Sequence, residues 1–377
     1  MLQLSDITCR VAGRTLLDNA SAAIPTGARV GFVGRNGTGK TTLFRIINGE
    51  LQPESGAAKL PRNMRLGQVA QEAPGGPESL LETVLAADTE RAALLAEAET
   101  ATDPHRIGDI HMRLIDIDAH AAPARAAAIL HGLGFDTEAQ ARPCSDFSGG
   151  WRMRVALASV LFLEPDMLLL DEPTNYLDLE GALWLQDYLA KYPHTVLTVS
   201  HDKDFLDAIT DHTLHLDSGK LTLYRGSYSN FARQRAEQRM LLEKASVKQQ
   251  AERKHLMAFV ERFKAKASKA RQAQSRMKRL EKMQLVDTMA DEEGASVTFP
   301  NPEKELSPPI IRLENVAVGY GERKVLRKLS LSISNDDRIG LLGANGNGKS
   351  TFVKLLADRL PLMDGKSVRS SKLKVAY

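Results

Sequence analysis

The 377-residue chain carries 50 lysines and arginines against 47 aspartates and glutamates, so its formal net charge is only +3. Hydrophobic residues make up 43% and charged residues 26%, a balance that argues against wholesale disorder. No run of about 18 apolar residues predicts a membrane span, the N-terminus does not resemble a secretory signal, and Cys9 and Cys144 cannot form a disulfide framework.

The chain contains an internal repeat whose two copies lie 309 residues apart. Residues 17–43 and 326–352 each predict an apolar strand, then a glycine-rich loop, then a helix. This spacing is far longer than the period of roughly 20 to 50 residues that characterises solenoid proteins. The repeat therefore predicts a duplicated domain.

The region between the two copies begins with the pattern of an α/β domain. Apolar runs at residues 167–170 and 196–199 predict buried strands, and helical patterns separate them. This alternation favours a largely parallel central sheet. An alanine-rich stretch at residues 88–130 predicts helices. We therefore expect a first domain at residues 1–225, including a helical subdomain at about residues 72–146.

A helical arm is predicted after this first domain. Residues 230–283 contain neither glycine nor proline and are dominated by arginine, lysine, glutamine, alanine and leucine. Two apolar stripes at helical spacing, with a basic cluster between them, predict an antiparallel helical hairpin. We expect this hairpin and its linker to occupy residues 226–309, and the second copy to occupy residues 310–377.

Both copies carry the phosphate-binding pattern GxxxxGK[ST], as GRNGTGKT at residues 34–41 and GANGNGKS at residues 343–350. A single match is compatible with a simple glycine-rich turn, but a second match in the same context favours phosphate binding. In such a loop the backbone N–H groups surround phosphate oxygens, the lysine reaches the β- and γ-phosphates, and the hydroxyl after it ligates Mg²⁺. The residues predicted to bind nucleotide in the two loops are Gly34, Asn36, Gly37, Gly39, Lys40, Thr41, Thr42, Gly343, Asn345, Gly346, Gly348, Lys349, Ser350 and Thr351.

Two further motifs lie between the loops. Asp171 and Glu172 directly follow an apolar run, so Asp171 is placed to hold Mg²⁺ through a water and Glu172 to polarise an attacking water. Adjacent carboxylates are commonly surface charge, but their position after a buried strand favours a functional role. The sequence Ser148-Gly149-Gly150 lies 23 residues before Asp171 and opens a helix, where it offers a hydroxyl and N–H groups to an anion.

This ordered set of motifs resembles the nucleotide-binding domain of ATP-binding cassette (ABC) ATPases. The resemblance implies that Ser148, Gly149 and Gly150 form the signature motif, which closes over ATP held by the phosphate loop of the other domain. It also implies that Gln71 contacts Mg²⁺ and the attacking water, with Gln68 as the alternative. It places Asp178 in the D-loop and makes His201 the switch histidine near the γ-phosphate.

The resemblance further implies an aromatic side chain that stacks on adenine. In the second copy this is Tyr320, whereas the corresponding region of the first copy reads Arg10-Val11-Ala12-Gly13 and contains no aromatic residue. We therefore expect looser recognition of adenine in the first site.

The combination of two such domains, a basic helical linker and no membrane segment resembles the ABC-F branch of the family. Over essentially the whole chain, the stretches SGGWRMRVALA, LLLDEPTNYLD and FKAKASKARQAQSR are similar to its YheS-like members. The resemblance implies a cytoplasmic ATPase that uses ATP and Mg²⁺ and binds the ribosomal E site. It also implies that the linker reaches toward the P-site tRNA.

The charge distribution favours such a partner independently. Residues 225–283 carry 17 lysines and arginines against 5 aspartates and glutamates, a net charge of +12, and the remaining residues carry −9. A basic arm is expected to bind RNA phosphates, with an affinity that falls as salt rises. The alternative is a solvated charged coiled coil. The residues predicted to contact ribosomal RNA are Arg262, Lys264, Lys266, Lys269, Arg271 and Arg276.

The sequence ends at Tyr377, where the glutamine loop of the second domain would follow. We therefore expect a C-terminal truncation within that domain, so that the second half of the domain pair is missing and neither composite ATP site is completed. Two alternative functions remain open. One is the nucleotide-binding subunit of a membrane ABC transporter, and the other is a non-catalytic, ATP-dependent ribosome-binding scaffold, which the truncation favours.

Overall fold

The computed structural model describes residues 1–69, 73–263, 275, 277–278 and 306–377. Its strands are β1 (Leu2–Val11), β2 (Arg14–Ile24), β3 (Arg29–Gly34), β4 (Ser55–Lys59), β5 (Leu66–Gln68), β6 (Met167–Asp171), β7 (Thr195–Val199), β8 (His212–Asp217), β9 (Lys220–Arg225), β10 (Ile311–Tyr320), β11 (Arg323–Ile333) and β12 (Asp364–Arg369). Its helices are α1 (Lys40–Ile47), α2 (Leu80–Leu85), α3 (Thr89–Thr100), α4 (Pro104–Asp116), α5 (Ala122–Gly132), α6 (Thr137–Gln140), α7 (Gly149–Leu163), α8 (Leu179–Ala190), α9 (Lys203–Ile209), α10 (Tyr228–Phe263) and α11 (Lys349–Leu356).

A six-stranded sheet of order β5-β6-β7-β3-β8-β9 lies at the centre of the first copy. The first five strands in this order, β5, β6, β7, β3 and β8, are parallel to one another. Strand β9 pairs antiparallel with β8 at the edge. This confirms the predicted α/β fold with its largely parallel sheet. Because the carboxyl ends of parallel strands meet at one edge, β3, β6 and β7 bring the phosphate loop, Asp171 and His201 to the same edge.

Both faces of this sheet are covered, which explains why β6 is apolar at successive positions rather than alternating. Leu168 and Leu170 pack in a core with the helices around α7. Met167 and Leu169 point to the other face, where they pack in a core with α1 and the β1–β2 hairpin. Strands β1, β2 and β4 form a separate three-stranded antiparallel sheet of order β2-β1-β4.

The predicted alanine-rich helices are present as α3, α4 and α5, and polar residues before the first two explain where those begin. Asp88 caps α3 by accepting the N–H of Arg91, and Asp103 caps α4 by accepting the N–H of His105. Two exposed ion pairs of 2.6 Å, which are Arg106 with Glu97 and Arg113 with Glu90, connect α3 to α4.

Helix α10 has 36 residues and a length of about 54 Å, in agreement with the long helix predicted from residue 230 onward. Its base is fixed to the first copy by Ser229, whose N–H donates to Asp207 at 2.7 Å, and by Arg235, which donates to Asp217 at 2.8 Å. The predicted second helix of the hairpin lies outside the described residues, apart from three isolated positions.

The second copy contains a three-stranded sheet of order β11-β10-β12, against which α11 packs through Leu355. The strand that the sequence predicts immediately before its phosphate loop is absent: residues 338–342 are described but pair with no strand. This prediction was wrong because a strand requires hydrogen-bonding neighbours. The described part of the second copy contains no counterparts of β7 and β8 to supply them.

Candidate nucleotide-binding site

The first phosphate loop connects β3 to α1, and two of its glycines have backbone conformations that other residues rarely adopt. Gly37 has φ +74° and Gly39 has φ +107°, and a Cβ atom on Gly39 would lie 3.0 Å from Leu16 Cβ. No side chain caps α1, which begins at Lys40. The N–H groups of its first turn are therefore available to an anion.

Lys40 and Thr41 lie at the start of α1, facing the end of β6. Lys40 Nζ donates to the carbonyl oxygens of Gly34 at 2.7 Å and Arg35 at 3.0 Å. Burial lowers the pKa of Lys40, and the nearby charges of Asp171 and Glu172 oppose that shift. Thr41 Oγ1 donates to Asp171 Oδ2 at 3.0 Å. The fold thus joins a hydroxyl and a carboxylate that are 130 residues apart in the chain.

Glu172 occupies a strained position between β6 and β7. Its φ of +50° lies in the left-handed region, and its backbone N–H donates to Val199 O at 2.9 Å. Its Oε2 accepts the backbone N–H of His201 at 3.3 Å. Its Oε1 is buried with no hydrogen-bond partner among the described residues, and His201 Nε2 lies 3.5 Å from it.

A cavity of about 330 Å³ joins these groups, and its volume suits a small ligand. It is lined by Leu16, Asn36, Gly37, Gly39, Lys40, Thr41, Thr42, Asp171, Glu172, Val199 and His201. A larger cavity of about 520 Å³ lies on the other side of the loop, between β8 and the base of α10, and neither Asp171 nor Glu172 lines it. The smaller cavity therefore contains the groups suited to a phosphorylated ligand with a divalent cation.

The signature and D-loop residues lie at the starts of two helices. Ser148 precedes α7 and is exposed, and its hydroxyl makes no capping bond. Asp178 caps α8 by accepting the N–H of Gly181 at 3.0 Å, and its other oxygen accepts the N–H of Asn345 at 3.1 Å. Burial acts to raise the pKa of Asp178, but these two backbone bonds hold it below its usual value. Asp178 therefore contacts the second phosphate loop rather than the first.

The second loop has positive φ angles at its last two glycines, as the first loop does, but Gly343 also has a positive φ of +151° whereas Gly34 does not. Gly346 has φ +89° and Gly348 has φ +85°. Lys349 Nζ donates to the carbonyl oxygens of Gly343 and of Ala344, the latter at 3.1 Å, and to Asn345 Oδ1 at 3.2 Å. Ser350 and Thr351 follow Lys349 in the first turn of α11.

Tyr320 is the last residue of β10, as Val11 is of β1, so the structure identifies Val11 as its counterpart. Lys354 Nζ donates to the Tyr320 hydroxyl at 3.3 Å. Hydrogen bonds with Thr351 and Lys354 lower the pKa of Tyr320. The phenol ring is thereby held beside the start of α11.

Several predicted residues lie outside the described part of the chain. They are Gln71, Lys264, Lys266, Lys269, Arg271 and Arg276. Arg262 belongs to α10, for which only the backbone is described at that position. The alternative glutamine, Gln68, is engaged elsewhere, because its Oε1 accepts a hydrogen bond from Asn48 Nδ2 at 2.5 Å.

Sequence reasoning missed one buried side chain beside the site, Arg154 on α7, which forms an ion pair with Asp178. Its only sequence signal is its place between Met153 and Val155 in α7, where Arg152 is the only other charged residue. Within the described ranges, no group of three or more histidine, cysteine, aspartate and glutamate residues is placed to hold a metal, and no helix is long and apolar enough to cross a membrane.

Comparison with known proteins identifies the family. A family profile described as "ABC transporter" matches residues 17–175 and 326–374, which is more than half of the chain. The chain therefore belongs to this ATP-binding cassette family. A second profile with the same description matches residues 214–299, which include α10.

Relatives place the chain in the F branch of that family, which confirms the YheS-like resemblance. "Probable ATP-binding protein YheS" of Escherichia coli K12 is 43% identical over 100% of this chain and 60% of its own length. "ABC transporter F family member 3" of Arabidopsis thaliana is 39% identical over 100% of this chain and 55% of its own. "ATP-binding cassette sub-family F member 3" of Homo sapiens is 39% identical over 97% of this chain and 52% of its own length. The chain thus spans 52% to 60% of the length of these relatives.

Proposed function

We propose that the first phosphate loop binds ATP with Mg²⁺ and that the first cassette supplies the catalytic carboxylate of an ATPase. The observation that carries the proposal is the bond of 3.0 Å between Thr41 and Asp171, at the same sheet edge as Glu172. A hydroxyl and a carboxylate are hard oxygen donors, and Mg²⁺ in nucleotide sites commonly takes one or two such protein oxygens together with phosphate oxygens. Thr41 and Asp171 therefore fit the ion, which when bound neutralises charge on the β- and γ-phosphates.

The chain's own groups then have distinct roles. A water attacks the γ-phosphorus in line with the bond to the leaving oxygen, and Glu172 Oε1 accepts a hydrogen bond from that water. The backbone N–H of His201 holds the other oxygen of Glu172 in place. Lys40 and the N–H groups at the start of α1 stabilise the charge on the transferred phosphoryl group.

We further propose that the second loop binds ATP against the signature residues Ser148 to Gly150. The bond of 3.1 Å between Asp178 and Asn345 supports this pairing, because it connects the first cassette to the second loop. ATP favours the closed arrangement of the two cassettes only if it binds that arrangement more tightly.

The basic arm supports a nucleic-acid partner. Residues 225–283 carry a net charge of +12, and their first part is a helix of 36 residues whose base is bonded to the ATP-binding cassette. We propose that the arm contacts ribosomal RNA and P-site tRNA in the cytoplasm, so that the nucleotide state of the cassettes governs engagement of the ribosome.

The Glu172→Gln variant tests the catalytic assignment in the complete gene product. We expect ATP turnover to fall by about 100-fold or more, because the water loses the carboxylate that polarises it. Nucleotide affinity should stay within about twofold, since Lys40 and Thr41 are unchanged, and the variant should remain on ribosomes. Normal turnover would contradict the role of Glu172. If the unchanged protein also shows no turnover, with or without ribosomes, the non-catalytic scaffold is favoured instead.

The ribosome assignment is tested by co-sedimentation at increasing salt. Replacing Lys264, Lys266 and Lys269 with glutamine should weaken binding and flatten its salt dependence, because fewer counterions are released. The matched control replaces three exposed lysines of the second copy, Lys366, Lys372 and Lys374, which should change little. Sedimentation with membranes rather than ribosomes would favour a transporter subunit.

A further inference from the structure

The helix that opens with the signature, α7, carries one buried guanidinium, that of Arg154. The Arg154 side chain is only 1% exposed. Its Nε donates to Tyr176 O at 2.7 Å, and its Nη1 donates to Leu133 O at 2.9 Å. Its guanidinium carbon lies 4.2 Å from the centre of the Trp151 ring. Two backbone carbonyls and one aromatic ring therefore fix the position of this group.

The remaining nitrogen of Arg154 faces Asp178. Arg154 Nη2 lies 3.5 Å from Asp178 Oδ2, an ion pair in which the carboxylate is only 7% exposed. The same oxygen accepts the backbone N–H of Asn345 at 3.1 Å. A single carboxylate oxygen thus lies between a fixed cation of the first cassette and the phosphate loop of the second.

Because both charges are buried, Arg154 and Asp178 each depend on the other for charge compensation. Removing one partner of a buried ion pair leaves the other charge uncompensated, which is much more costly than losing an exposed pair. The planar guanidinium serves two carbonyls and the carboxylate at once, which an ammonium cannot do in the same geometry. The position of Asp178 therefore depends on Arg154 as well as on its own cap of α8.

We propose that Arg154 is a positioning residue for the nucleotide site of the second phosphate loop. It holds Asp178 against Asn345 and connects that loop to the signature, because Trp151 directly follows Gly150 and packs on the guanidinium. The inference rests on the proposed binding of nucleotide at the Lys349 loop.

The experiment measures each loop separately in the 377-residue chain. Lys40→Ala abolishes nucleotide binding at the first loop, so that titration with a fluorescent ATP analogue and Mg²⁺ measures the affinity of the second loop. Lys349→Ala allows the affinity of the first loop to be measured in the same way. In the Lys40→Ala background, Arg154→Met should weaken binding about tenfold, the size of one lost bond to a charged group. In the Lys349→Ala background the same change should alter affinity less than about twofold.

A double-mutant cycle shows whether Arg154 acts through Asp178. Asp178→Asn alone should weaken second-loop binding to a similar extent, and adding Arg154→Met should weaken it little further. Arg154→Lys should recover only part of the affinity, because the charge is kept but the carbonyl bonds are not. The matched control is Arg125→Met, which removes a guanidinium lying 5.1 Å from the Phe162 ring centre and should leave both loops unchanged.

Each outcome decides the proposal. Additive effects of Arg154→Met and Asp178→Asn on second-loop affinity would overturn it. Equal losses of nucleotide affinity at both loops would also overturn it, since equal losses indicate general destabilisation. If Arg154→Met does not fold by circular dichroism, Asp178→Asn and Arg154→Lys decide the same question. If the Lys40→Ala chain binds no nucleotide, both the proposed function of the second loop and this inference are wrong. If that chain binds nucleotide and Arg154→Met does not change the affinity, only this inference is wrong.

Discussion

The two phosphate loops have similar backbone conformations at their last two glycines, but the chain segments that precede them differ greatly in burial. The paired glycines have similar positive φ angles, which are +74° and +107° in the first loop and +89° and +85° in the second. The strand before the first loop is buried, with Val30 and Phe32 both 0% exposed. Their counterparts 309 residues later, Ile339 and Leu341, are 54% and 41% exposed. The loop shape is therefore set locally by glycine, whereas burial of its strand depends on distant neighbours.

The loops also differ in what faces them. Among the described residues, Asp171, Glu172 and His201 face the first loop, and Asp178 contacts the second. The residue at the end of the first strand is Val11 in one copy and Tyr320 in the other. This difference is consistent with our proposal that the first site supplies the catalytic carboxylate, and it predicts that the second site binds the adenine base more tightly.

The largest effect that we expect on nucleotide affinity tests whether the loop conformation is determined locally. Gly39→Ala places a Cβ atom in the left-handed region and 3.0 Å from Leu16 Cβ. Without nucleotide, the variant loop can relieve this strain by changing its conformation. Nucleotide binding must then restore the original conformation, which costs about 2 kcal/mol of binding free energy. We expect about 30-fold weaker binding of ATP at the first loop, measured by titration in the Lys349→Ala background.

Gly348→Ala should cause a similar loss at the second loop, measured with Lys40→Ala, because its φ of +85° imposes the same strain. The control is Gly108→Ala, an exposed position on α4 with nothing within 4 Å of the added Cβ, which should leave both affinities unchanged. A loss at one loop and not at the other would show that the surrounding sheet, rather than glycine, determines the loop shape.

A smaller effect is expected for the metal response of the first loop. Thr41→Val keeps the side-chain volume but removes the hydroxyl that bonds to Asp171. We expect the gain in ATP affinity on adding Mg²⁺ to shrink by about tenfold at this loop, because the hydroxyl proposed to ligate the ion is lost. Titrations with Mg²⁺ and with excess chelator measure this gain.

Thr38→Val is the matched control, because the Thr38 hydroxyl donates to Arg35 O within the loop and not to Asp171. Its response to Mg²⁺ should be unchanged. If Thr41→Val also keeps the full response, the pairing of Thr41 with Asp171 does not reflect a metal site, and the contrast between the loops would have to rest on Glu172 alone.

The features that sequence could predict are those specified by contiguous residues. Residues 34–41 determine their own loop through Gly37 and Gly39, and the run 167–170 is long and apolar enough to predict the buried strand β6. The absence of glycine and proline similarly predicted α10. In each case the local pattern and the tertiary environment favour the same structure.

The features that sequence missed depend on partners far away in the chain. Arg154 looks like a surface residue on a helix, but its position is set by the carbonyls of Leu133 and Tyr176 and by the carboxylate of Asp178. Residues 338–342 have the composition of a strand, yet composition cannot supply a neighbouring strand. Such features become visible only when the three-dimensional neighbours are known.

The smallest expected effect concerns the base. Val11→Tyr places in the first copy the aromatic side chain that the second copy has at the same position. Stacking on a base contributes about 1 kcal/mol or more, so the ratio of ATP affinity to tripolyphosphate affinity at the first loop should rise about fivefold. Tyr320→Val should lower the same ratio at the second loop, whereas Tyr320→Phe should preserve it, because only the bonds to Lys354 and Thr351 are lost. An unchanged ratio in Val11→Tyr would show that adenine does not lie at the end of β1, and that the two sites do not differ through stacking.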